Sequence, residues 1–238
     1  MSGLTFREAM GSLSSSQKSR AGVSLYSRYI NRPVGRFFAA AAASAGVSPN
    51  GVTAVSALCT ALGLAVLVLS PVGWLTGLAV AVLLALGFAL DSADGQVARL
   101  TGRGSLAGEW LDHVVDAGKM VAVHAAVLIA AATQGLLAGA WLLLPLAYML
   151  VAVVLFSGMT IFELLRRTRP LQADPPRSPS TIRALGLLPA DYGVLALAFV
   201  LWGSSQIFFA VYAALGGLTA VITIALLLKW FRVLQRTG

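Results

Sequence analysis

The sequence predicts an all-α integral membrane protein: six transmembrane helices preceded by an amphipathic helix lying in the membrane interface. Three observations carry that expectation. The 238-residue chain is 58% hydrophobic and only 11% charged, where soluble domains carry about 25% charged residues. Its mean hydropathy is +0.84. Its apolar runs approach the ~20 residues that a helix needs to cross a bilayer.

Residues 1–22 are polar and Ser-rich and lack the apolar stretch of a secretory signal, so they are expected to be a mobile N-terminus. Residues 23–45 differ. Leu25, Tyr29, Val34, Phe37 and Phe38 alternate with Arg28, Arg32 and Arg36 at four-residue spacing, the pattern of an interfacial amphipathic helix that Pro33 would disturb or break. Residues 46–238 form the expected transmembrane catalytic domain. Spans are expected near 51–70, 73–94, 112–133, 137–165, 191–203 and 205–229, the fifth short as a bare apolar run. Ser48 and Asn50 are good caps for the first. Between the fourth and fifth, residues 166–190 carry Pro170, Pro175, Pro176, Pro179 and Pro189, a density that opposes regular helix. Cys59 is alone, so no intrachain disulfide can form, and it reads as a packing residue.

The basic residues orient the bundle. They precede the first span, lie between spans two and three (Arg99, Arg103) and four and five (Arg166, Arg167, Arg169, Arg177, Arg183), and follow the sixth. The other loops have none, and only Lys119 lies inside a helix. By the positive-inside rule both termini and the residues between spans two and three face the cytoplasm, a bacterial cell membrane being the expected location. The net charge of +8 is thus a matter of topology and anionic lipid. Because the basic residues are dispersed along one membrane edge, no nucleic-acid partner is expected.

Against this background stand four aspartates: Asp91, Asp94, Asp112 and Asp116, in a chain with nine acidic residues in all. A carboxylate at the centre of a membrane helix costs about 2.5–3.5 kcal/mol on insertion scales. Asp91 and Asp94 are three apart, Asp112 and Asp116 four apart, so each pair shares a helix face. Two helix ends can therefore aim four carboxylates at a common point. All-oxygen ligation suits Mg2+ or Mn2+, and four carboxylates could hold two ions, a clamp suited to in-line phosphoryl displacement. The competing reading pairs these carboxylates with Arg99, Arg103 and Lys119.

Gly95, Ala98 and Gly108 leave room either for a nucleotide against the backbone or for close helix packing. Arg99 suits a diphosphate, because a guanidinium matches phosphate oxygens, or it anchors the helix at the membrane edge. Arg166, Arg167, Arg169 and Arg183 could take a phosphate on an acceptor alcohol, or equally contact anionic lipid. His113 reads as packing beside Asp112, and His124 as a satisfied interior polar group.

The string Asp91-x2-Asp94-Gly95-x2-Ala98-Arg99-x8-Gly108-x3-Asp112-x3-Asp116 resembles, position for position, the signature of the CDP-alcohol phosphotransferase family. Pro49-Asn50-Gly51-Val52-Thr53 resembles a second element of it. The resemblance implies an integral membrane enzyme with two divalent metals, a CDP-linked donor, release of CMP, and a homodimer. It assigns Asp91, Asp94 and Asp112 to metal binding, Asp116 to metal contact and general base, and Asn50 and Thr53 to the surroundings of the cytidine and its phosphates. The donor it favours is CDP-diacylglycerol, with a small polar alcohol as acceptor in phospholipid biosynthesis. An alternative within the family uses a CDP-polyol donor with a lipid or soluble alcohol acceptor. Outside it, a divalent-cation or proton-coupled transporter would also place carboxylates in a membrane, but near the midplane and often with repeated halves, and no repeat is visible.

Overall fold

The computed structural model describes residues 4–15, 22–168 and 180–236, and within them the chain is helical. Helix α1 (Phe6–Ser15) packs on α2 (Arg32–Ser44), which follows directly on a π-helical turn at Ser27–Asn31. The long helices are α3 (Pro49–Leu69), α4 (Trp74–Thr101), α5 (Leu106–Thr133) and α6 (Leu143–Thr168), the last entered through a 3-10 turn at Gly139–Leu142. After the short α7 (Thr181–Gly186) and a turn at Leu188–Ala190 comes α8 (Tyr192–Ala198), continued by a 3-10 segment at Phe199–Gly203. Helix α9 (Ser205–Gln235) is the last.

Five of these helices, among the described residues, are long and apolar enough to cross a membrane: α3, α4, α5, α6 with its entry turn, and α9. The expected fifth span is instead a shorter apolar element, Tyr192–Gly203, with seven α-helical residues and five 3-10 residues. It lies along α4. The Tyr192 ring is 5.2 Å from that of Phe88 at one end, and Gly203 abuts the Trp74 ring at the other.

Local chemistry sets the boundaries. Ser48 caps α3 by accepting from the Gly51 amide at 3.1 Å, with Pro49 in the first turn where a missing N–H costs nothing. Helix α4 stops at Gly102, whose φ of +65° is the left-handed conformation that glycine adopts freely. Ser105 then caps α5 through the Gly108 amide at 3.0 Å. The helices run further than the apolar periods suggest: α4 continues to Thr101 rather than 94, and α5 begins at Leu106 rather than 112. At 1.5 Å per residue, each is about 42 Å long, more than the ~30 Å hydrocarbon layer. The motif therefore sits on continuous helix.

Three other expectations concern the N-terminal and Pro-rich segments. Pro33 does not break the N-terminal helix, because it falls in the first turn of α2 and the π-turn before it absorbs the change of register. The segment expected to be mobile contains α1, whose Ala9 and Leu13 are buried against Ala39, Ala40, Val52, Ala93 and Val97. The Pro-rich connector is partly helical too, in the end of α6 and in α7, while residues 169–179 lie outside the described residues.

Small residues bring α3 and α4 together. A Cβ on Gly87 would lie 2.7 Å from Thr60 Oγ1 and 3.1 Å from the Ser56 carbonyl. Helix α2 closes on α4 in the same way, through Gly35 against Ser92 and the Ala89 carbonyl. The main core lies towards the opposite end of the bundle. There Leu84, Val80, Val127, Phe199, Trp202, Phe208 and Tyr212 are fully buried. His124 is satisfied as expected, its Nδ1 meeting the Tyr212 hydroxyl among these aromatic rings.

Candidate active site

The site forms where α4, α5 and α2 meet around the ends of the helices rich in aspartate. Asp91, Asp94, Gly95 and Arg99 come from α4, Asp112 from the second turn of α5, and Arg32 from the start of α2; with Ser92 and Gln96 they line a cavity of about 200 Å3. Carboxylate oxygens of Asp91, Asp112 and Asp116 lie within 4.8 Å of one another. The four-residue step from Asp112 to Asp116 turns both towards Asp91, as the spacing requires.

Asp94 is held separately. It is buried, and its Oδ2 accepts a hydrogen bond from the Thr53 hydroxyl at 2.6 Å, while Oδ1 takes the Gly95 amide. Thr53 is itself buried on α3, with its hydroxyl also 3.2 Å from the Pro49 carbonyl. So the Pro49–Thr53 element reaches the main motif through a direct side-chain bond. Asn50 reaches it by packing: a Cβ added to Gly108 would meet Asn50 Oδ1 at 3.0 Å. A Cβ on Gly95 would meet only the Arg99 guanidinium, at 3.4 Å. Gly95 thus opens backbone to the cavity, with Arg99 folded back over it. Ala98 is half-buried on the same helix.

Lys119 completes the constellation. Its buried ammonium donates to Asp91 Oδ1, to Asp116 Oδ1 at 3.1 Å and to Ser56 Oγ at 3.1 Å. Of the three cations in the competing sequence reading, Lys119 makes such ion pairs, and it engages two of the four aspartates. Lys119, Arg32, Ser92, Gln96 and Ser56 were not singled out from the sequence as site residues. The signal for Lys119 was available: it is a basic residue deep inside an expected span, three positions beyond Asp116.

Of the arginines expected at an acceptor phosphate, Arg166, Arg167 and Arg183 do not line this cavity. Arg167 pairs with Glu109 at the start of α5, and exposed Arg166 lies 3.8 Å from Glu163 on its own helix. Arg183 is exposed on α7, and Arg169 falls outside the described residues. His113 is half-buried, 3.9 Å from Glu109. Cys59 is partly rather than fully buried.

Membrane-length helices that converge acidic and cationic side chains beside a glycine-opened backbone make a site suited to a charged ligand at a membrane. Residues 46–231 match the model of the CDP-alcohol phosphatidyltransferase family, and the chain belongs to that family. It is accordingly an integral membrane phosphotransferase that moves a substituted phosphate group from a CDP-alcohol donor to an alcohol in phospholipid synthesis. No curated protein matches the chain.

Proposed function

We propose that the protein transfers a phosphatidyl group from CDP-diacylglycerol to a small polar alcohol and releases CMP. The observation that supports this most directly is the approach of Asp91, Asp112 and Asp116 oxygens to within 4.8 Å of one another beside Asp94. Such a set fits hard divalent cations, because every donor is a carboxylate oxygen. Asp91, Asp94, Asp112 and Asp116 would hold two Mg2+ or Mn2+ ions, whose chemistry when bound is to neutralise charge on the transferring phosphate.

The chain's own groups do the rest. Arg99, folded over Gly95, faces the diphosphate, and the open backbone at Gly95, Ala98 and Gly108 admits the nucleotide. Asn50 and Thr53 border it from α3. The acceptor hydroxyl gives its proton to Asp116 as its oxygen bonds to the distal phosphorus of the diphosphate. The bond from that phosphorus to the bridging oxygen breaks, and CMP leaves. Arg166, Arg167, Arg169 and Arg183 meet the acceptor's phosphate where the acceptor carries one.

Topology enters the same reading. Tyr192–Gly203 runs along α4 from Phe88 to Trp74, about 21 Å of the ~30 Å layer, and with the Leu188–Ala190 turn before it serves as the sixth crossing. Six crossings put both termini on one side, and the basic residues gathered there support the cytoplasmic one for the cavity as well. Helix α2, with exposed Val34 and Phe37 beside Arg36, lies in the interface. The unit from 46 to 238 acts as one catalytic domain, and the chain works as a homodimer. The deciding experiment is CMP release by purified protein, with CDP-diacylglycerol and CDP-polyols crossed against a panel of alcohols. Turnover with CDP-polyols alone would reject the donor assignment.

A further inference from the structure

Lys119 sits among the catalytic carboxylates, yet the proposed reaction gives it no work. Burial leaves its side chain 8% exposed, and its ammonium contacts Asp91, Asp116 and the Ser56 hydroxyl. Withdrawing that charge from its partners would push it towards apolar neighbours such as Val123 on the next turn of α5, against a steep desolvation cost. The ammonium is therefore fixed in place. It takes up one oxygen of Asp91 and one of Asp116, and a divalent ion bridging those same two oxygens would sit against it with like charge and nothing between them.

We propose that Lys119 is a resident cation of this site, a positioning residue that holds Asp91 and Asp116 together and excludes one divalent ion while no donor is bound. The proposal rests on the metal reading above. The donor-free protein then binds a single ion, through Asp112 and the remaining carboxylate oxygens. A second ion enters only with the added negative charge of the donor's diphosphate. Lysine thus keeps a carboxylate cluster in the membrane from repelling itself between turnovers, at the cost of weaker metal binding.

The experiment counts Mn2+ bound per chain on the full-length protein in nanodiscs, without nucleotide, by equilibrium dialysis with elemental analysis. One ion is expected for the native chain and two for Lys119→Met. Lys119→Gln keeps a polar group beside Ser56 and both carboxylates while removing the charge, so it covers the case in which the methionine variant does not fold; two ions are expected there also. Lys119→Arg, which keeps the charge, should stay at one. Thermal unfolding adds a second readout, with the uncharged variants gaining more from Mn2+ than the native protein does. Equal ion counts of one or two in the native and uncharged proteins would overturn the role of Lys119 and leave the metal reading standing. No bound Mn2+ in any of them would overturn both.

Discussion

The Thr53 hydroxyl donates to Asp94 Oδ2 at 2.6 Å, joining residues 41 positions apart on α3 and α4. Both groups are buried, so the bond is shielded from competing water. Hydrogen bonds to charged groups contribute about 1.5–3 kcal/mol. Thr53→Val, which keeps the shape and removes the donor, should therefore reduce kcat/KM for the CDP-donor by roughly 10- to 100-fold. Unchanged donor kinetics would mean that Asp94 does not depend on Thr53.

Chelation is the broadest check. Excess EDTA should abolish CMP release, and either Mg2+ or Mn2+ should restore it, because oxygen ligands hold both through charge. Full turnover in EDTA would remove the divalent ions from the mechanism.

The aspartates should separate by role. Asp116→Asn is expected to lower kcat by about 10²–10⁴-fold, the usual contribution of a general base, while the protein still takes up Mn2+. Asp91→Asn or Asp112→Asn should weaken Mn2+ uptake and turnover together. A near-native rate for Asp116→Asn would move the base elsewhere.

Packing can be tested apart from chemistry. A methyl group on Gly87 would press on Thr60 Oγ1 and on the Ser56 carbonyl, which is backbone and cannot swing aside. Gly87→Ala should cost about 1–3 kcal/mol of stability, read as a lower unfolding temperature. Gly108→Ala meets the end of the Asn50 side chain, which can move. It should leave the unfolding temperature nearly unchanged and raise the donor KM.

The Arg167–Glu109 pair is solvent-accessible, with side chains 58% and 38% exposed, so its loss alone should change stability by about 0–1 kcal/mol. Arg167→Ala should raise KM for a phosphorylated acceptor and leave donor KM alone. An unchanged acceptor KM, with Arg183→Ala behaving likewise, would reduce these arginines to lipid contacts.

Much of the architecture could be read from hydropathy, because α3, α4, α5, α6 and α9 each supply a membrane-length apolar run. The aspartates could be read because helical spacing alone turns Asp112 and Asp116 to one side. What stayed hidden depends on partners far away in sequence. Helix α1 presents Phe6, Ala9, Met10 and Leu13 at helical spacing, yet its many serines mask the stripe until α2 provides a surface. The Tyr192–Gly203 element is legible as a short apolar run, but its change to 3-10 geometry against α4 is not. The sequence sets Lys119 near the aspartates as a pairing cation, but not its contact with Ser56, which needs α3 brought against it.

The aromatic block of Phe199, Trp202, Phe208 and Tyr212 stoppers the end of the bundle away from the aspartates. With that end packed shut, the proposed reaction has one mouth, on the carboxylate side. On that reading, a lipid made there stays in the leaflet that supplied its precursor, and the enzyme feeds one leaflet only.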